Sequence, residues 1–168
     1  MTLTIEWARR IDNWRSELKK HFYRPLGEIS FEGFVTREQL TVDQARGGPW
    51  SPMPPGTAWG AKWEYGWFRG EIVLPEEAAG RPPIEAIEGK RIALRVEPGG
   101  ESVVFVDGKA AGARDRFHTE ITLTMSGVPA PDQIGGRHEV MVEAYAGHGP
   151  HVVGTGPTPP GRVTVPEP

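Results

Sequence analysis

The chain has 168 residues, a formal net charge of -3 and no cysteine, and its 22 glycines and 17 prolines make it rich in turns. The lack of cysteine excludes disulfide bonds, thiol catalysis and cysteine-ligated zinc. Positive and negative residues alternate instead of forming a basic stripe, which excludes the usual electrostatic footprint of a nucleic-acid-binding protein. The length suits one domain with one hydrophobic core.

The first 26 residues predict an amphipathic α-helix. From residue 5 onward, apolar residues recur at steps of three and four: Trp7, Ile11, Trp14, Leu18 and Phe22. Pro25 and Gly27 follow and end the helical pattern. We expect this apolar stripe to pack on the rest of the domain. The alternative is a contact between copies of the chain in a homo-oligomer.

Charged residues interrupt the apolar runs near the start of the chain, at Glu6, Arg9 and Arg10. The sequence therefore predicts neither a signal peptide nor a membrane-spanning segment. We expect a cytoplasmic protein that has no membrane partner and no nucleic-acid partner.

Residues 27–149 predict a β-sandwich. Six stretches show the alternation of apolar residues that is typical of strands: 29–35, 67–74, 92–96, 102–106, 121–125 and 140–144. Leu40 and Val42 repeat this strand pattern weakly. In the second stretch we expect one buried face, formed by Phe68, Ile72 and Leu74, and one solvent-exposed face.

Turn signals predict how these strands pair. Pro98-Gly99-Gly100 predicts that strands 92–96 and 102–106 are adjacent and antiparallel, and Asp107-Gly108 predicts a hairpin after the second of them. Short strands that are separated by such turns, with no helix between them, favour an antiparallel β-sandwich of the jelly-roll type. Residues 150–168 are broken by prolines and glycines, and we expect them to be a linker.

Four segments, in this order and at these spacings, resemble the region ahead of the catalytic domain in glycoside hydrolase family 38 α-mannosidases. They are WGAKWEYGWFRGEIVLP (59–75), GGESVVFVDGK (99–109), ARDRFHTEITLT (113–124) and VEAYAGHG (142–149). The resemblance implies a galactose-binding-like β-sandwich ahead of a much larger zinc-dependent domain that cleaves terminal α-mannosides with retention. It also implies that residues 150–168 lead toward that catalytic domain, which we expect to lie outside this chain.

The zinc site of that family begins with a His-x-Asp pair. None of the five histidines of this chain is followed by an aspartate two residues later. We therefore carry over no catalytic residue and no metal ligand, and we expect no cofactor in this chain. Zinc is expected in the catalytic domain.

Five polar residues in the two best-matching segments are candidates for a site: Asp115, His118, Glu143, Tyr145 and His148. Carboxylates and imidazoles bind sugar hydroxyls or a metal ion, or form a wall of the active site of a neighbouring catalytic domain. The alternative is that they only fix loops by hydrogen bonds. Our hypothesis is that Asp115 and His118 face the catalytic domain.

Four tryptophans lie close together in the sequence: Trp50, Trp59, Trp63 and Trp67. An exposed indole stacks on the apolar face of a sugar ring, and we select Trp59 and Trp67 as candidates for sugar binding or for contact with the catalytic domain. The alternative is that these side chains fill an open end of the sandwich.

The function expected from the resemblance is that of a non-catalytic accessory domain of an α-mannosidase, with the catalytic domain of the same enzyme as its partner. An autonomous carbohydrate-binding module that takes mannoside glycans is the alternative. A self-contained enzyme is the third hypothesis, for which the sequence shows no paired-carboxylate spacing, nucleophile elbow or metal-ligand cluster.

Overall fold

A computed structural model describes residues 2–21, 23–73, 92–124, 137–154 and 161–166. Its helices are α1 (Thr2–Lys20) and α2 (Val42–Arg46). Its strands are β1 (Tyr23–Glu28), β2 (Glu32–Thr36), β3 (Ser51–Pro52), β4 (Ala58–Trp59), β5 (Tyr65–Val73), β6 (Ile92–Val96), β7 (Glu101–Val106), β8 (Lys109–Arg114), β9 (Glu120–Thr124), β10 (Arg137–Tyr145), β11 (His151–Val152) and β12 (Gly161–Pro166). Three predicted apolar positions, Phe22, Leu74 and Met125, lie outside the described residues.

Ten of these strands form two antiparallel sheets that pack face to face. The larger sheet has the strand order β3-β2-β5-β10-β7-β8, and the smaller sheet has the order β1-β12-β6-β9. Strands β11 and β4 pair with each other. One core lies between the two sheets, with Phe68 and Val142 from the larger sheet and Leu94 and Ile121 from the smaller. The predicted antiparallel β-sandwich with an N-terminal helix is therefore confirmed.

The turns after β6 and β7 direct the chain differently. Strands β7 and β8 form the predicted hairpin, in which Asp107 (φ 50°) and Gly108 (φ 76°) adopt the left-handed conformations of a tight two-residue turn. The prediction that β6 and β7 are neighbours is wrong, because β6 pairs with β12 and β9 whereas β7 pairs with β10 and β8. Residues 98–100, with Gly99 at φ 101°, carry the chain from one sheet to the other.

Strand β5 is buried on both faces at its centre, although the alternation predicted one buried face. Phe68 and Ile72 lie in the sandwich core as expected. Trp67 lies on the opposite face and is nevertheless fully buried, because it packs in a second apolar cluster with Phe34 and Met141. The outer face of the larger sheet is therefore covered at this point.

Helix α2 provides that cover, and the strand pattern at Leu40 and Val42 gave a wrong prediction there. The side-chain oxygen of Thr41 accepts a hydrogen bond from the backbone N–H of Gln44, and the Gln44 side chain accepts one from the backbone N–H of Thr41. This capping box starts a helix. Leu40 and Val42 consequently pack in the second cluster, around the buried Ala45.

The segment 150–168 contains more than the predicted linker. Strand β12 lies inside the smaller sheet, where Val163 pairs with Gly27 of β1 on one side and with Leu94 of β6 on the other. The predicted sandwich boundaries at 27 and 149 are therefore wrong, because the paired strands run from Tyr23 to Pro166. Pairing between strands far apart in sequence leaves no mark on local composition, so the prolines and glycines alone predict a linker.

The apolar stripe of α1 faces solvent. The side chains of Trp7, Ile11, Trp14 and Leu18 are 59%, 57%, 76% and 49% exposed. The prediction that this stripe packs on the sandwich is wrong, because α2 and its flanking residues cover the apolar patch on the outer face of the larger sheet. The contact between copies of the chain stays a prediction. In the part of the chain that the structure describes, no helix is long and apolar enough to cross a membrane.

Candidate functional site

The outer face of the larger sheet, which points away from the sandwich core, is covered over one part and open over another. The second apolar cluster occupies the covered part, beside α2. A groove with a volume of about 520 Å³ occupies the open part and crosses β5, β10 and β7. The groove is lined by Gln39, Tyr65, Glu101, Ser102, Val103, Ala113, Arg114, Asp115, His118, Glu143 and Tyr145.

The pairing of three strands forms the floor of the groove. Tyr145 of β10 lies opposite Tyr65 of β5 and Glu101 of β7. Glu143, two residues earlier on the same face of β10, lies opposite Val103 of β7. The ring centroids of Tyr65 and Tyr145 are 5.2 Å apart. The floor is therefore a pair of aromatic rings with carboxylates beside it.

The turn after β8 forms one wall of the groove. Asp115 Oδ1 accepts hydrogen bonds from the backbone N–H groups of Phe117 (2.7 Å) and His118 (2.6 Å), and both carboxylate oxygens lie 3.0 Å from His118 Nδ1. Asp115 therefore fixes this turn, while the side chain of His118 is 78% exposed. Because neither side chain is buried in the sandwich, the hypothesis that they face a catalytic domain stays a prediction.

The hydrogen bonds of this turn make the Asp115 carboxyl unusually acidic. Its hydrogen bonds with the His118 side chain, and then with the His118 and Phe117 backbone, lower the pKa of Asp115 from 3.8 to about 2. A carboxyl whose pKa is lower in the folded state stabilises that state above its unfolded pKa, and this stabilisation is lost as the pH falls from about 4 to about 2. In an NMR titration of the side-chain carboxyl carbons, we expect Asp115 to titrate near 2 and to shift toward 3.8 in His118→Ala. A midpoint near 3.8 in the unmodified chain would contradict this turn geometry.

Burial distinguishes Glu143 from the other carboxylates of the groove. Its removal from water raises the pKa of Glu143 above the ordinary value. Its Oε1 atom is buried and has no hydrogen-bond partner among the described residues. Ser102 and Arg114 also border the groove and have a buried atom without a partner, but they pair with each other on the face of the sheet that carries Val104 of the sandwich core. Folded proteins leave few such atoms, so the unpaired Glu143 Oε1 at the floor of the groove marks a place where a hydrogen-bond donor can bind.

An exposed tryptophan extends the aromatic floor past the groove. Trp63 is 52% exposed, and its ring stacks on Tyr145 with centroids 6.3 Å apart and 28° between the planes. Its φ of 68° is a left-handed conformation that residues other than glycine seldom adopt. Its backbone N–H donates to the carbonyl oxygen of Gly147 at 2.9 Å. Backbone strain of this kind is concentrated at functional sites.

The groove joins four of the seven residues that the sequence predicted for the site: Asp115, His118, Glu143 and Tyr145. His148 does not line it. The His148 ring instead lies 5.1 Å from the ring of Trp63, on which it packs.

Trp59 and Trp67 are buried, so their prediction as sugar-stacking or contact residues is wrong; Trp59 lies in the sandwich core and Trp67 in the second apolar cluster. They are only 4% and 0% exposed, respectively. Trp59 packs edge-on against Phe68 in the sandwich core and donates a hydrogen bond from Nε1 to the carbonyl oxygen of Pro98. Neither indole presents a face to a ligand.

The sequence patterns missed two floor residues and did not select Trp63. Tyr65 and Glu101 lie just before the predicted strands 67–74 and 102–106, and nothing in their local sequence separates them from surface residues. Their role becomes visible only through their pairing with Tyr145. Trp63 differs from its buried neighbours by a backbone conformation that the sequence does not show.

The donor set of the described residues does not fit a zinc site. Those residues contain no group of three or more histidine, aspartate or glutamate side chains that could hold a metal ion. Asp115 and His118 form a close pair, but they bind each other. The groove offers other chemistry: the rings of Tyr65 and Tyr145 can stack on a ligand, and the Glu143 carboxylate can accept hydrogen bonds from it.

Comparisons with known proteins agree with this fold. The sequence profile of the family described as "Alpha-mannosidase, jelly roll domain" matches residues 27–160. Alpha-mannosidase 2C1 of Mus musculus is 32% identical over 81 residues, which are 48% of this chain and 7% of that protein. The chain therefore spans only a small part of the length of this curated relative.

Two solved structures of a β-glucuronidase from Ruminococcus gnavus are also similar. The match to the first covers 87% of this chain and 28% of the glucuronidase chain, with 14% identity and a TM-score of 0.49. The match to the second, which is in complex with uronic isofagomine, covers 87% of this chain and 28% of the glucuronidase chain, with 15% identity and a TM-score of 0.48. The family match confirms both the jelly-roll prediction and the resemblance to α-mannosidases. The chain belongs to the family of α-mannosidase jelly roll domains.

Proposed function

We propose that this jelly roll domain is a non-catalytic accessory domain of an α-mannosidase of glycoside hydrolase family 38, and that it supports the catalytic domain by packing against it. The family match over residues 27–160 carries the proposal. The proposal includes the hydrolysis of terminal α-mannosides at a zinc site in the catalytic domain and a cytoplasmic location. The role of this chain in the enzyme is to present a folded surface to the catalytic domain.

Two exposed apolar surfaces support this proposal. Phe117 is 82% exposed, at the turn that also carries Asp115 and His118. The stripe of α1 is the second surface. Exposed apolar patches mark sites of interaction, and contacts between domains of one chain bury about 600–1,500 Å². We therefore propose that the turn after β8 and the α1 stripe contact the catalytic domain.

A deletion in the complete enzyme tests the supporting role. We expect the enzyme without this domain to bind zinc normally and to unfold about 5 °C or more below the intact enzyme, because it loses a stabilising interface. Differential scanning calorimetry and zinc analysis measure the two quantities. An unchanged unfolding temperature together with unchanged expression would contradict the proposal.

An activity assay tests the non-catalytic role. The purified 168-residue chain is expected to release no product from an aryl α-mannoside, with or without added zinc. The intact enzyme is the positive control. Product release that disappears in the Glu143→Gln variant of the chain would show that the groove itself is catalytic and would overturn the proposal.

A further inference from the structure

We infer that the groove on the outer face of the larger sheet binds a neutral hexose ring of a glycan. This role goes beyond the packing function proposed above, because it needs no contact with a catalytic domain. The sugar stacks on the aromatic surface formed by Tyr65, Tyr145 and Trp63, and its hydroxyl groups donate hydrogen bonds to Glu143. Asp115 and His118 close the far wall.

Three neighbouring aromatic rings form a surface on which a sugar can stack. Trp63, Tyr145 and Tyr65 form one continuous series of rings, in which neighbouring centroids are 6.3 Å and 5.2 Å apart. Half of the Trp63 surface is open to solvent, and its backbone N–H is bonded to the carbonyl oxygen of Gly147. An indole or phenol ring presents a flat apolar face together with a polar edge. A pyranose ring has the same division, with C–H groups on its faces and hydroxyls around its edge.

The groove floor also contains an unsatisfied polar atom. Glu143 Oε1 lies beside the aromatic floor, is buried and has no protein partner among the described residues. Leaving such groups unpaired costs free energy. A ligand that carries several hydroxyl groups supplies the donors that a carboxylate needs.

The charge of the lining selects the kind of sugar. Three carboxylates line the groove, those of Glu101, Asp115 and Glu143. The one guanidinium among the lining residues, that of Arg114, is already engaged, because it forms an ion pair with Glu97 and donates to the carbonyl oxygen of Gly100. The groove therefore favours a neutral sugar over an anionic one. A volume of about 520 Å³ is within the usual range for small-molecule sites.

Titration of the ¹⁵N-labelled 168-residue chain with methyl α-D-mannopyranoside tests the inference. We expect saturable shifts of the amide signals of β10 and of the turn after β8, with a Kd of about 1–10 mM. Methyl α-D-mannopyranosiduronate differs only by a carboxylate at C6, and we expect its Kd to be about tenfold higher because it faces the three carboxylates of the groove.

Two exposed tryptophans provide a matched pair of variants. Trp63→Ala is expected to weaken binding of the mannoside about tenfold, because it removes a stacking surface. Trp14→Ala removes an indole that is 76% exposed on α1, a helix that does not line the groove, and is expected to leave the Kd unchanged. Glu143→Gln preserves the shape of the floor and is expected to weaken binding about tenfold, because hydrogen bonds to a charged acceptor are the stronger ones.

The outcomes separate this inference from the proposed function. It is overturned if no neutral hexoside shifts the groove signals at about 100 mM, a concentration that saturates even a weak site. It is also overturned if Trp63→Ala and Trp14→Ala bind equally well. If the chain binds no sugar and the deletion destabilises the enzyme, only the packing role remains. If the chain binds sugar and the deletion leaves the enzyme equally stable, only the glycan site remains.

Discussion

Removal of residues 155–168 is expected to abolish the cooperative folding of the chain. Strand β12 is an inner strand, and without it β1 and β6 lose their shared partner and the smaller sheet is split. Buried backbone groups that lose their hydrogen bonds are costly, and the core between the sheets loses one of its walls. Thermal unfolding followed by near-ultraviolet circular dichroism should show a sharp transition in the intact chain and none in the truncated chain.

A deletion at the other end is the control. Removal of residues 1–21 deletes α1, whose described apolar stripe of Trp7, Ile11, Trp14 and Leu18 is exposed and lies outside the sandwich core. We expect this variant to unfold cooperatively within about 4 °C of the intact chain, since a change of roughly 1 kcal/mol shifts the midpoint by that amount. Equal stability of both truncated chains would show that β12 is not an inner strand.

Trp67→Ala is expected to lower the free energy of unfolding by about 3–5 kcal/mol, the usual cost of emptying the space of a large buried aromatic side chain. Trp67 is fully buried and stacks on Phe105 with ring centroids 6.2 Å apart. It is the largest residue of the cluster that joins α2 to the sheet. Urea denaturation followed by circular dichroism measures the loss.

Two further substitutions isolate the cause of that loss. Trp67→Phe retains most of the volume and removes an indole N–H that has no partner among the described residues, so we expect a loss of less than about 1.5 kcal/mol. Trp14→Ala removes an exposed indole and is expected to change stability by less than about 0.5 kcal/mol. A loss in Trp14→Ala as large as that in Trp67→Ala would mean that the α1 stripe is buried.

Local patterns predicted much of the fold because strands and tight turns depend on near neighbours. The alternation of apolar residues located β5, β7, β9 and β10, and Asp107-Gly108 located the hairpin between β7 and β8. The capping box of Thr41 and Gln44 was present in the sequence as a local signal too, but the weak alternation of Leu40 and Val42 competed with it. Helix α2 could therefore have been predicted.

Long-range pairing could not be predicted in the same way. Strand β12 pairs with β1 and β6, which are far from it in sequence, and its own composition favours a linker. The same limit explains the error for Trp67, because alternation assigns a side chain to one face of a strand without showing what covers that face. Only the packing of α2 decides that Trp67 is buried.

The candidate site was predicted in part for a related reason. Asp115 and His118 lie on a turn, and Glu143 and Tyr145 lie on a strand, and the two segments meet in one groove because β7 stands between β8 and β10. The resemblance to α-mannosidases selected these segments without that geometry. Tyr65 and Glu101 entered the site only through the strand register.

Hydrogen exchange, measured on the isolated chain and on the complete enzyme, tests the supporting role most directly. If the domain packs on a catalytic domain through the proposed surfaces, the amides of residues 115–118 and of α1 will exchange about tenfold or more slowly in the complete enzyme. Strand β10, which is an inner strand in either case, should exchange equally and serves as the internal standard. Equal rates at all three places would contradict the proposal that these surfaces meet a larger neighbour.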